Sequence, residues 1–557
     1  MRPSDYIRLC PWRFAAVSVL TLCLALVPDP VLAQSRVSAP VDVRKYPALS
    51  DKEIGHIRHF LKLSRQLPGD WSGMGDNWWQ TPERTLQYQL AFMTYGLATA
   101  QYNSTPAYRD VYRETMDRLI EKLLLPDVWR SWSDVSRGGM LTNSDQKALE
   151  EGWVDPVRKN NIMYGGHVLH AAALYEVLYR EGKYDKPGAI AFRFEEATWG
   201  PGPQTYAYDL HSLAKLIHDQ FMESHYSGIA CEPNLVFAPC NQHAVLGLML
   251  HDYLYGTHYA ADVIPNFKRE WVAKGYTDPQ TKSFMLFRLK AQDKVVYSPK
   301  PSIDGWTGTF MHAWDPDYVQ SLYQAQKEQH LPRLFGEAEF PESEKLWEAR
   351  TGLGFFAVLA SEVGDKPTLN KTLEYSDRYL SPVWQDGSYY YPRNDELARD
   401  KSGIFRTVSP FTGNALLPLA RLNRPNGLWK LHNQPWEEKH FKQPYVSGVD
   451  YLAIGVSQAF YDAEKDALIL TLVPGPAKAE TVSFVIRQLD PSKTYDVFRN
   501  GNLLGRLRVG QALKLSGIEW HSDGEMTVRT RVLSKTSFIF TGTTPNNAGA
   551  RRSSVPK

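Results

Sequence analysis

The chain of 557 residues is predicted to be mainly α-helical, with a toroid of paired helices followed by a small β-rich domain. Two observations predict this. From about residue 51 to 422, apolar residues recur at three- and four-residue intervals between clusters rich in Pro, Gly and Asp. From about residue 448, β-branched and aromatic runs replace that pattern. A dozen or so helices in antiparallel succession favour a ring around a central pocket; a helical repeat array is the alternative, although no fixed-period repeat is visible.

The individual elements follow from the same two periodicities. The helical pattern is clearest at residues 85–100, 162–179, 206–222, 242–255, 318–328 and 346–363. Strands are predicted at 467–473, 481–486, 494–498 and 526–532, with turns at Asn500-Gly501 and Asp523-Gly524. The predicted organisation is a signal peptide at 1–33, a helical domain at 45–425, a linker at 426–445, a β-sandwich-like domain at 446–542 and a disordered tail at 543–557.

The N-terminal segment predicts export. Arg8 and Arg13 precede an apolar run at 14–27, and small residues end at Ala33 in a pattern typical of signal-peptide cleavage. The run is short for a membrane span, and a lipid anchor is not expected. The mature protein is therefore predicted to be periplasmic or secreted, without a stable membrane anchor.

Composition limits the partners that can be expected. The 63 basic and 61 acidic residues give a net charge of +2, which gives no electrostatic case for binding nucleic acid or an anionic membrane. The 16 Trp, 30 Tyr and 23 Phe residues suit a pocket that holds apolar or sugar-like ligands. No fingerprint of NAD, flavin, pyridoxal phosphate or metal binding is found, so no cofactor is expected. Assembly into a homo-oligomer is left open.

The segment GIACEPNLVFAPCNQ at 228–242 is the most informative in the chain. It holds Cys231 and Cys240, the two cysteines outside the leader, and Glu232 follows the first of them. In an exported protein such a pair forms either a disulfide or two working thiols. A bridge across so small a loop would contribute about 2–3 kcal/mol.

This segment and several others resemble the linalool dehydratase/isomerase family. The resemblance extends from about Trp71 to Tyr259, is thin to residue 420 and is absent from the C-terminal module. Its motifs are TPER, QY and YGLA within 81–98, Val128-Trp129 with Trp132, DPV and NIMYGGH within 155–167, LIHD at 216–219, the cysteine segment itself, and YGTHY at 255–259.

The resemblance implies an (α/α)6 barrel of paired helices with a cofactor-free acid/base site inside. Family members dehydrate a tertiary allylic terpene alcohol and isomerise it, which requires a proton donor, a base and an apolar cage. Carried over residue by residue, the catalytic positions are Cys231, Glu232, Cys240, His167, Tyr88 and an upstream aspartate, for which Asp70 is preferred to Asp76. Trp306 and Tyr164 are predicted to contact the substrate.

Each assignment has a structural alternative. His167, with His170 on the same helix face, could be a cap, a core residue or a metal ligand, although no third ligand is evident. Tyr88 could be simple core, and Asp70 could be a turn residue. A thiol acts as acid or base when its neighbours bring its pKa near the working pH. His167 is a suitable neighbour, whereas Glu232 alone would raise the thiol pKa.

Two departures from the family bear on the substrate. Insertions at 136–153 and 188–203 could form lids, and no family tyrosine stands beside Trp306. The C-terminal module favours a rival, a carbohydrate hydrolase or lyase with paired carboxylates such as Asp304, Asp315 and Glu232. The third hypothesis is a binding protein with a Cys231–Cys240 disulfide. The preferred prediction is a hydro-lyase/isomerase acting on a hydrophobic, terpene-like alcohol.

Overall fold

The protein is mainly helical with several small sheets in a computed structural model. The structure describes residues 39–74, 86–195, 200, 202–337, 345–392, 409–476, 481–521 and 524–543. The predicted signal peptide, Asp76 and the predicted tail beyond Thr543 lie outside the described residues.

The helices fill the first three quarters of the chain. Their bounds are α1 (Asp51–Ser64), α2 (Leu86–Ser104), α3 (Asp110–Leu123), α4 (Pro126–Trp129), α5 (Trp132–Val135), α6 (Ile162–Tyr179), α7 (Leu210–Glu223), α8 (Cys240–Tyr255), α9 (Tyr259–Lys274), α10 (Pro301–Met311), α11 (Pro316–Leu334), α12 (Lys345–Val363), α13 (Lys366–Tyr379), α14 (Leu417–Leu422) and α15 (Gly427–Asn433).

Short strands join some of these helices. They are β1 (Ile190–Phe194), β2 (Gln204–Tyr208), β3 (Leu235–Phe237), β4 (Met285–Leu289), β5 (Lys294–Tyr297), β6 (Val383–Gln385) and β7 (Ser388–Tyr390). All of their pairings are antiparallel.

Six helices form a closed ring at the centre of the helical part. In the order α2, α6, α8, α10, α12 and α14, each contacts the next, and α14 contacts α2. These helices are apolar on nearly all sides: every residue of α6 and of α10 is buried. A helix that is hydrophobic all round belongs in a core.

A second set of helices lies outside this ring. α3, α7, α9, α11 and α13 contact α2, α6, α8, α10 and α12, respectively, and α1 contacts α14. α3, α7 and α9 each bury one apolar face and expose the other, as surface helices do. Capping fixes some of their starts, as where Ser50 and Glu53 form a capping box at α1.

Most predicted helix positions are confirmed, and one boundary is wrong. The helix predicted at 162–179 has those bounds, and the one at 242–255 begins two residues earlier, at Cys240. The helix predicted from 206 begins at Leu210, because Tyr206 and Tyr208 belong to β2, which pairs with β1. Asp209 then ends the strand and caps α7 by accepting from the Ser212 backbone N–H.

Two five-stranded antiparallel sheets follow the helices. The strands are β8 (Tyr445–Ser447), β9 (Ile454–Asp462), β10 (Ala467–Pro474), β11 (Val482–Arg487), β12 (Thr494–Arg499), β13 (Asn502–Leu507), β14 (Ala512–Leu513), β15 (Ile518–Trp520), β16 (Met526–Thr530) and β17 (Thr536–Thr543). Their orders are β13-β12-β17-β10-β9 and β14-β15-β16-β11-β8. Rings on β11 and β17, Phe484 and Phe538, meet between the sheets at 6.0 Å. The four predicted strands coincide with β10, β11, β12 and β16 and are confirmed.

The sheets are joined to the helical part by backbone hydrogen bonds. Ala107 N–H donates to Ala459 O at 3.0 Å, and Val446 N–H donates to Ala107 O at 2.8 Å. Leu49 N–H donates to Ser457 O at 2.8 Å. The β-rich part therefore packs directly on the segments that flank α1 and α2.

Candidate active site

The cysteine segment is a tight, internally bonded turn that leads into α8. Cys231 N–H donates to Leu235 O at 2.8 Å, and Leu235 N–H donates to Glu232 O at 2.9 Å. Asn161 N–H, just before α6, donates to Cys231 O at 3.0 Å. Cys240 is the first residue of α8. Both cysteines are therefore held at the N-terminal ends of two neighbouring inner helices.

Asn241 clamps the turn from inside the protein. Its Oδ1 accepts from Ile229 N–H at 2.8 Å, and its Nδ2 donates to Ile229 O at 3.1 Å and to Phe237 O at 3.2 Å. A side-chain amide bonded in this way fixes the backbone on either side of Cys231. The sequence analysis did not single out Asn241.

Cys231 and Cys240 are buried free thiols that interact with each other. Burial raises the pKa of Cys231 well above its usual range, and the neighbouring Cys240 and Glu232 raise it further. Burial also raises the pKa of Cys240, and it outweighs a hydrogen bond from Cys231 that lowers this pKa. Both groups therefore stay protonated at neutral pH. Glu232 raises the thiol pKa, as expected, whereas the groups that shift the two thiols do not include His167.

Glu232 completes the acid cluster. Burial raises the pKa of its carboxyl group, opposed by hydrogen bonds from Cys231 and from its own backbone N–H. Its Oε2 is buried and accepts no hydrogen bond from the part of the chain that the structure describes. An unpartnered carboxyl oxygen beside two thiols is available to a ligand.

His167 lies in the interior, on α6, as a neutral imidazole. Its Nδ1 is 2.8 Å from the hydroxyl of Tyr95, and its Nε2 has no partner among the described residues. Burial lowers the pKa of His167 to about 3. The ring of His243 lies 4.0 Å from that of His167, measured between centroids.

His243 is fixed by Trp306. The indole Nε1–H of Trp306 donates to His243 Nε2 at 2.7 Å, so the proton of the neutral ring is on Nδ1. Burial holds the pKa of His243 well below its usual range, and the neighbouring His167, His170 and His432 lower it further. Trp306 therefore lies beside the imidazole pair, where its partner His243 is one that the sequence did not suggest.

A sulfur-bearing residue and a histidine occupy successive turns of both α6 and α8. Met163 and His167 are four residues apart on α6, and Cys240 and His243 are three apart on α8, so each pair shares a helix face. Cys240 Sγ is 3.6 Å from Met163 Sδ, one turn from the contact between His167 and His243. The contact between Cys240 and Met163 and the contact between the two imidazoles therefore lie about one helical turn apart along α6 and α8.

A third pair continues this column of side chains. His432 Nδ1–H donates to Leu428 O at 2.8 Å, so its Nε2 accepts a hydrogen bond from His170 Nε2–H at 2.8 Å. His432 comes from α15, inside the predicted linker, and is buried. His170 is thus a bonded core residue, in accordance with its structural alternative.

Two helices approach closely because of glycines. A Cβ on Gly166 of α6 would lie 3.0 Å from the backbone nitrogen of Ala244 on α8. A Cβ on Gly247 would lie 2.6 Å from Leu169 Cγ. The bare backbone at these two positions is what allows the contact between His167 and His243.

Aromatic rings form a cage beside the imidazoles. Tyr88 is buried, and its ring lies 5.9 Å from His167 and 5.4 Å from Trp306. Phe92 makes edge contacts with His167, His243 and Trp306. The predicted residues His167, Tyr88 and Trp306 are therefore brought together in one cluster.

Two predicted site residues lie elsewhere. Asp70 is exposed in a turn, where its carboxylate accepts from the Ser72 backbone N–H, a bond that lowers the pKa of Asp70. Tyr164 is buried, and its hydroxyl donates to Leu123 O at 2.8 Å while its ring packs against Phe192. Both geometries match turn and core roles.

The carboxylates proposed for the carbohydrate alternative are separately engaged. Asp304 accepts from Ser283 Oγ at 2.7 Å, Phe284 N–H at 2.8 Å and His330 Nε2 at 2.6 Å. Asp315 pairs with Lys268 at 2.7 Å. Neither interaction is with Glu232.

Sequence reasoning missed Tyr95, His243, Met163 and His432 as members of this cluster. A signal was available for two of them: Met163 is four residues before His167, and His243 is three residues after Cys240. No signal in the sequence brings His432 to His170, because 262 residues separate them. Among the described residues no group of three His, Cys, Asp or Glu side chains is arranged to hold a metal ion.

The fold and site describe a helical protein with two buried thiols and a carboxyl group close to a pair of neutral imidazoles. Residues 87–397 match the family described as linalool dehydratase/isomerase. The chain therefore belongs to the linalool dehydratase/isomerase family, as the resemblance of its motifs predicted.

Solved structures with partial similarity include several carbohydrate-active proteins. An α-amylase from Clostridium perfringens has 10% identity and a TM-score of 0.38, over 67% of this chain and 98% of that one. An unsaturated glucuronyl hydrolase specific for heparin has 11% identity and a TM-score of 0.39, over 67% and 95%. Dfg5 from Chaetomium thermophilum, in complex with glucosamine, has 13% identity and a TM-score of 0.36, over 70% and 92%. Likeness of this size transfers no activity to the present chain.

No described helix combines the length and apolar character needed to cross a membrane.

Proposed function

We propose that this protein is a cofactor-independent hydro-lyase and isomerase that acts on a hydrophobic, terpene-like alcohol. The observation that carries the proposal is the contact between Glu232 and two protonated thiols, Cys231 and Cys240. Three adjacent weak acids beside an aromatic cage suit the departure of a hydroxyl group as water.

We infer that the ring of six inner helices and its outer partners form an (α/α)6 barrel. The closed order of contacts, from α2 through α14 and back, supports this inference. In such a barrel the N-terminal ends of α6 and α8 open on the pocket, which puts Cys231, Glu232 and Cys240 at its wall.

Glu232 is the proton donor in this proposal. Burial raises the pKa of its carboxyl group, which favours the protonated form, and its buried Oε2 is unpartnered among the described residues. Its proton goes to the substrate hydroxyl as the C–O bond breaks. The bonding electrons leave with the oxygen as water, and an allylic cation remains. Tyr88, in the cage wall, helps to orient the hydroxyl group.

His167 is the base. In the tautomer whose Nδ1–H donates to the Tyr95 oxygen, Nε2 carries a free electron pair. A base with a pKa of about 3 is sufficient, because a proton beside a carbocation is strongly acidic. Removing that proton forms the double bond. The proton taken by His167 then passes back through the thiols of Cys240 and Cys231 to the Glu232 carboxylate, which restores the starting state of all four groups. Isomerisation results when water adds back at the other end of the allylic cation.

The aromatic cage stabilises the cation between these steps. The faces of Tyr88, Phe92 and Trp306 present negative π density and no nucleophile. Burial of the cage excludes bulk water, which would otherwise capture the cation at random positions.

The two rival hypotheses have less support. A glycosidase needs two carboxylates that face each other across a pocket, whereas Asp304 and Asp315 are bonded to other partners. A binding protein with a disulfide staple would not need Glu232 beside two free thiols. Export through the N-terminal leader remains part of the proposal.

The test is an anaerobic assay of the purified protein with reductant and a panel of tertiary allylic alcohols. Wild type, Cys231→Ala and Cys240→Ala are compared by gas chromatography, with melting temperature as the control for folding. Hydrocarbon or isomerised alcohol from wild type, reduced at least a hundredfold in both folded variants, is expected. Turnover that survives in either variant would remove that thiol from the mechanism.

A further inference from the structure

The insertion at 136–153 forms a closed surface loop. Glu150 N–H donates to Arg137 O at 2.9 Å, which brings the two ends of the loop together. Gln146 Nε2 donates across the loop to Gly138 O at 3.2 Å and to Ala148 O at 2.9 Å. Residues 137–150 thus have the features of an Ω-loop, a compact kind of loop that is often functional. We call them the Ω-loop.

The Ω-loop is bonded to the cysteine turn. Asn234 Nδ2, two residues after Glu232, donates to Thr142 O at 2.9 Å. Gln292 Nε2, beyond β4, donates to Asn143 Oδ1 at 3.0 Å. The loop therefore has a fixed position beside the candidate site.

The Ω-loop exposes large apolar side chains that its own bonds hold outward. Of eleven such exposed side chains in the described residues, three lie in this loop: Met140, Leu141 and Leu149. Leu141 is fully exposed, and Leu149 is 61% exposed. Single exposed apolar residues are ordinary. This loop differs in carrying three of them within one short segment.

A polar cleft of about 780 Å³ separates the Ω-loop from the end of β4. The lining includes Trp153, Asn160 and Asn234, and the last two adjoin the residues that hold Cys231 and Glu232. A cleft of this size and position is suited to be the entrance of the site.

Three cations line the same cleft without neutralising partners. Arg158, Lys159 and Lys290 are exposed, and no carboxylate within the described ranges forms a salt bridge with them. Although its side chain reaches solvent, partial desolvation of the Lys290 ammonium and the like charges of Arg288 and Lys159 lower the pKa of Lys290. Glu150 and Glu151 also line the cleft, which leaves one net positive charge on its wall.

We propose that the Ω-loop and the cations beside it dock this protein reversibly on an anionic lipid surface, with the cleft mouth against the lipid. Apolar tips beside basic side chains are the combination that peripheral proteins use at such surfaces. The proposal rests on the proposed function, because a hydrophobic alcohol partitions into lipid and would enter the cleft from there.

The test places an environment-sensitive dye at one loop position. In a protein with Cys10→Ser and Cys23→Ser in the leader, Leu141→Cys is labelled in the reduced, folded state, where Cys231 and Cys240 are buried. Phosphatidylcholine vesicles with or without phosphatidylglycerol are then added. The matched control is Leu533→Cys, an exposed leucine between β16 and β17 that is 67% exposed. All variants share one N-terminus, so any lipid contact made by the leader is common to them.

A blue shift at position 141 with phosphatidylglycerol vesicles, and none at 533, is expected. Lys159→Gln with Lys290→Gln should reduce the apparent vesicle affinity at least fivefold. No shift at 141, or an equal shift at 533, overturns the proposal. An equal response to both vesicle compositions overturns the role of the cations. A shift that grows with protein concentration alone indicates a second copy instead and also overturns it.

Failure here is distinguishable from failure of the proposed function. The vesicle measurement involves no turnover, whereas the alcohol assay with dissolved substrate and no vesicles involves no lipid surface. A protein that dehydrates dissolved alcohol but gives no shift at position 141 would keep its proposed function and lose this inference.

Discussion

At the scale of single residues, burial decides the chemistry of the site. The pKa values of Cys231 and Glu232 rise because low dielectric disfavours their charged forms, while that of His167 falls for the same reason. One cause thus yields proton donors and a neutral base in the same pocket. Such opposed shifts are typical of acid/base sites.

Glu232→Gln should abolish turnover and stabilise the protein at neutral pH. Because the pKa of Glu232 is raised by folding, the unfolded chain ionises first, and stability is lost as pH rises above about 4.5. Gln carries no such charge. The melting temperature of the variant should therefore exceed that of wild type at about pH 8 and match it at about pH 4.

The matched control for this change is Glu223→Gln, at the exposed end of α7. It should leave both turnover and the pH dependence of melting as in wild type. A Glu232→Gln protein that melts below wild type at high pH would show that the carboxylate is ionised and needed for the fold.

Trp306→Phe should lower turnover about tenfold while the fold is kept. The change leaves His243 Nε2 buried without a donor, which costs about 1–3 kcal/mol, and frees the ring that packs on His167. Trp314→Phe is the control, since Trp314 Nε1–H also donates to α8, at Gln242 Oε1, 2.9 Å away. Steady-state kinetics measure the turnover of both variants. An equal loss of turnover in the two would contradict a specific role for Trp306.

At the scale of elements, the approach of α6 to α8 governs the site. Their contact brings His167 against His243 and Met163 against Cys240. The distance between two helices depends on the side chains at their crossing, and glycine gives the shortest. The two inner helices therefore act as a single platform for the acid and base groups.

Gly166→Ala should destabilise the protein by about 1–3 kcal/mol and reduce turnover, because the added methyl group meets the Ala244 backbone at 3.0 Å. Gly165→Ala is the control one residue away. There a Cβ would lie 3.5 Å from Val157 Cγ1, an ordinary contact. This change should be neutral or stabilise the helix by up to about 1 kcal/mol.

Denaturant unfolding and the alcohol assay measure both variants. Equal effects of the two substitutions would mean that helix propensity, rather than the closeness of α6 and α8, determines the result.

At the scale of the whole molecule, many histidines are buried as neutral rings. Folding lowers the pKa of these residues: His56, His59, His167, His170, His243, His251, His432 and His440. The unfolded chain would bind protons at these positions near pH 6.5, while the folded protein would not.

The protein should therefore be labile to mild acid. Because these pKa values are lowered by folding, the stability is present above about pH 6.5 and is lost as pH falls toward about 4. Each histidine adds a slope approaching about 1.4 kcal/mol per pH unit. Urea midpoints should fall steeply from about pH 7 to about pH 5 and change little from about pH 7 to about pH 8. A flat profile across the acid range would contradict the buried neutral histidines.

The sequence by itself determined the helical class, most element positions and the family. Apolar periodicity marks α6 without reference to any partner, because a fully buried helix must be apolar all round. The motif around Cys231 and Cys240 identifies the acid cluster for a similar reason: its residues are neighbours in the chain. The start of α7 was misplaced because strand pairing between β1 and β2 depends on a second segment.

Only the tertiary structure decided how the groups meet. Three hydrogen bonds join residues that are not neighbours in the chain: Trp306 with His243, His170 with His432, and His330 with Asp304. Their pKa values depend on burial, which no local pattern fixes. Chain neighbours can be read from sequence, but desolvation and long-range contacts arise when the helices close into a ring.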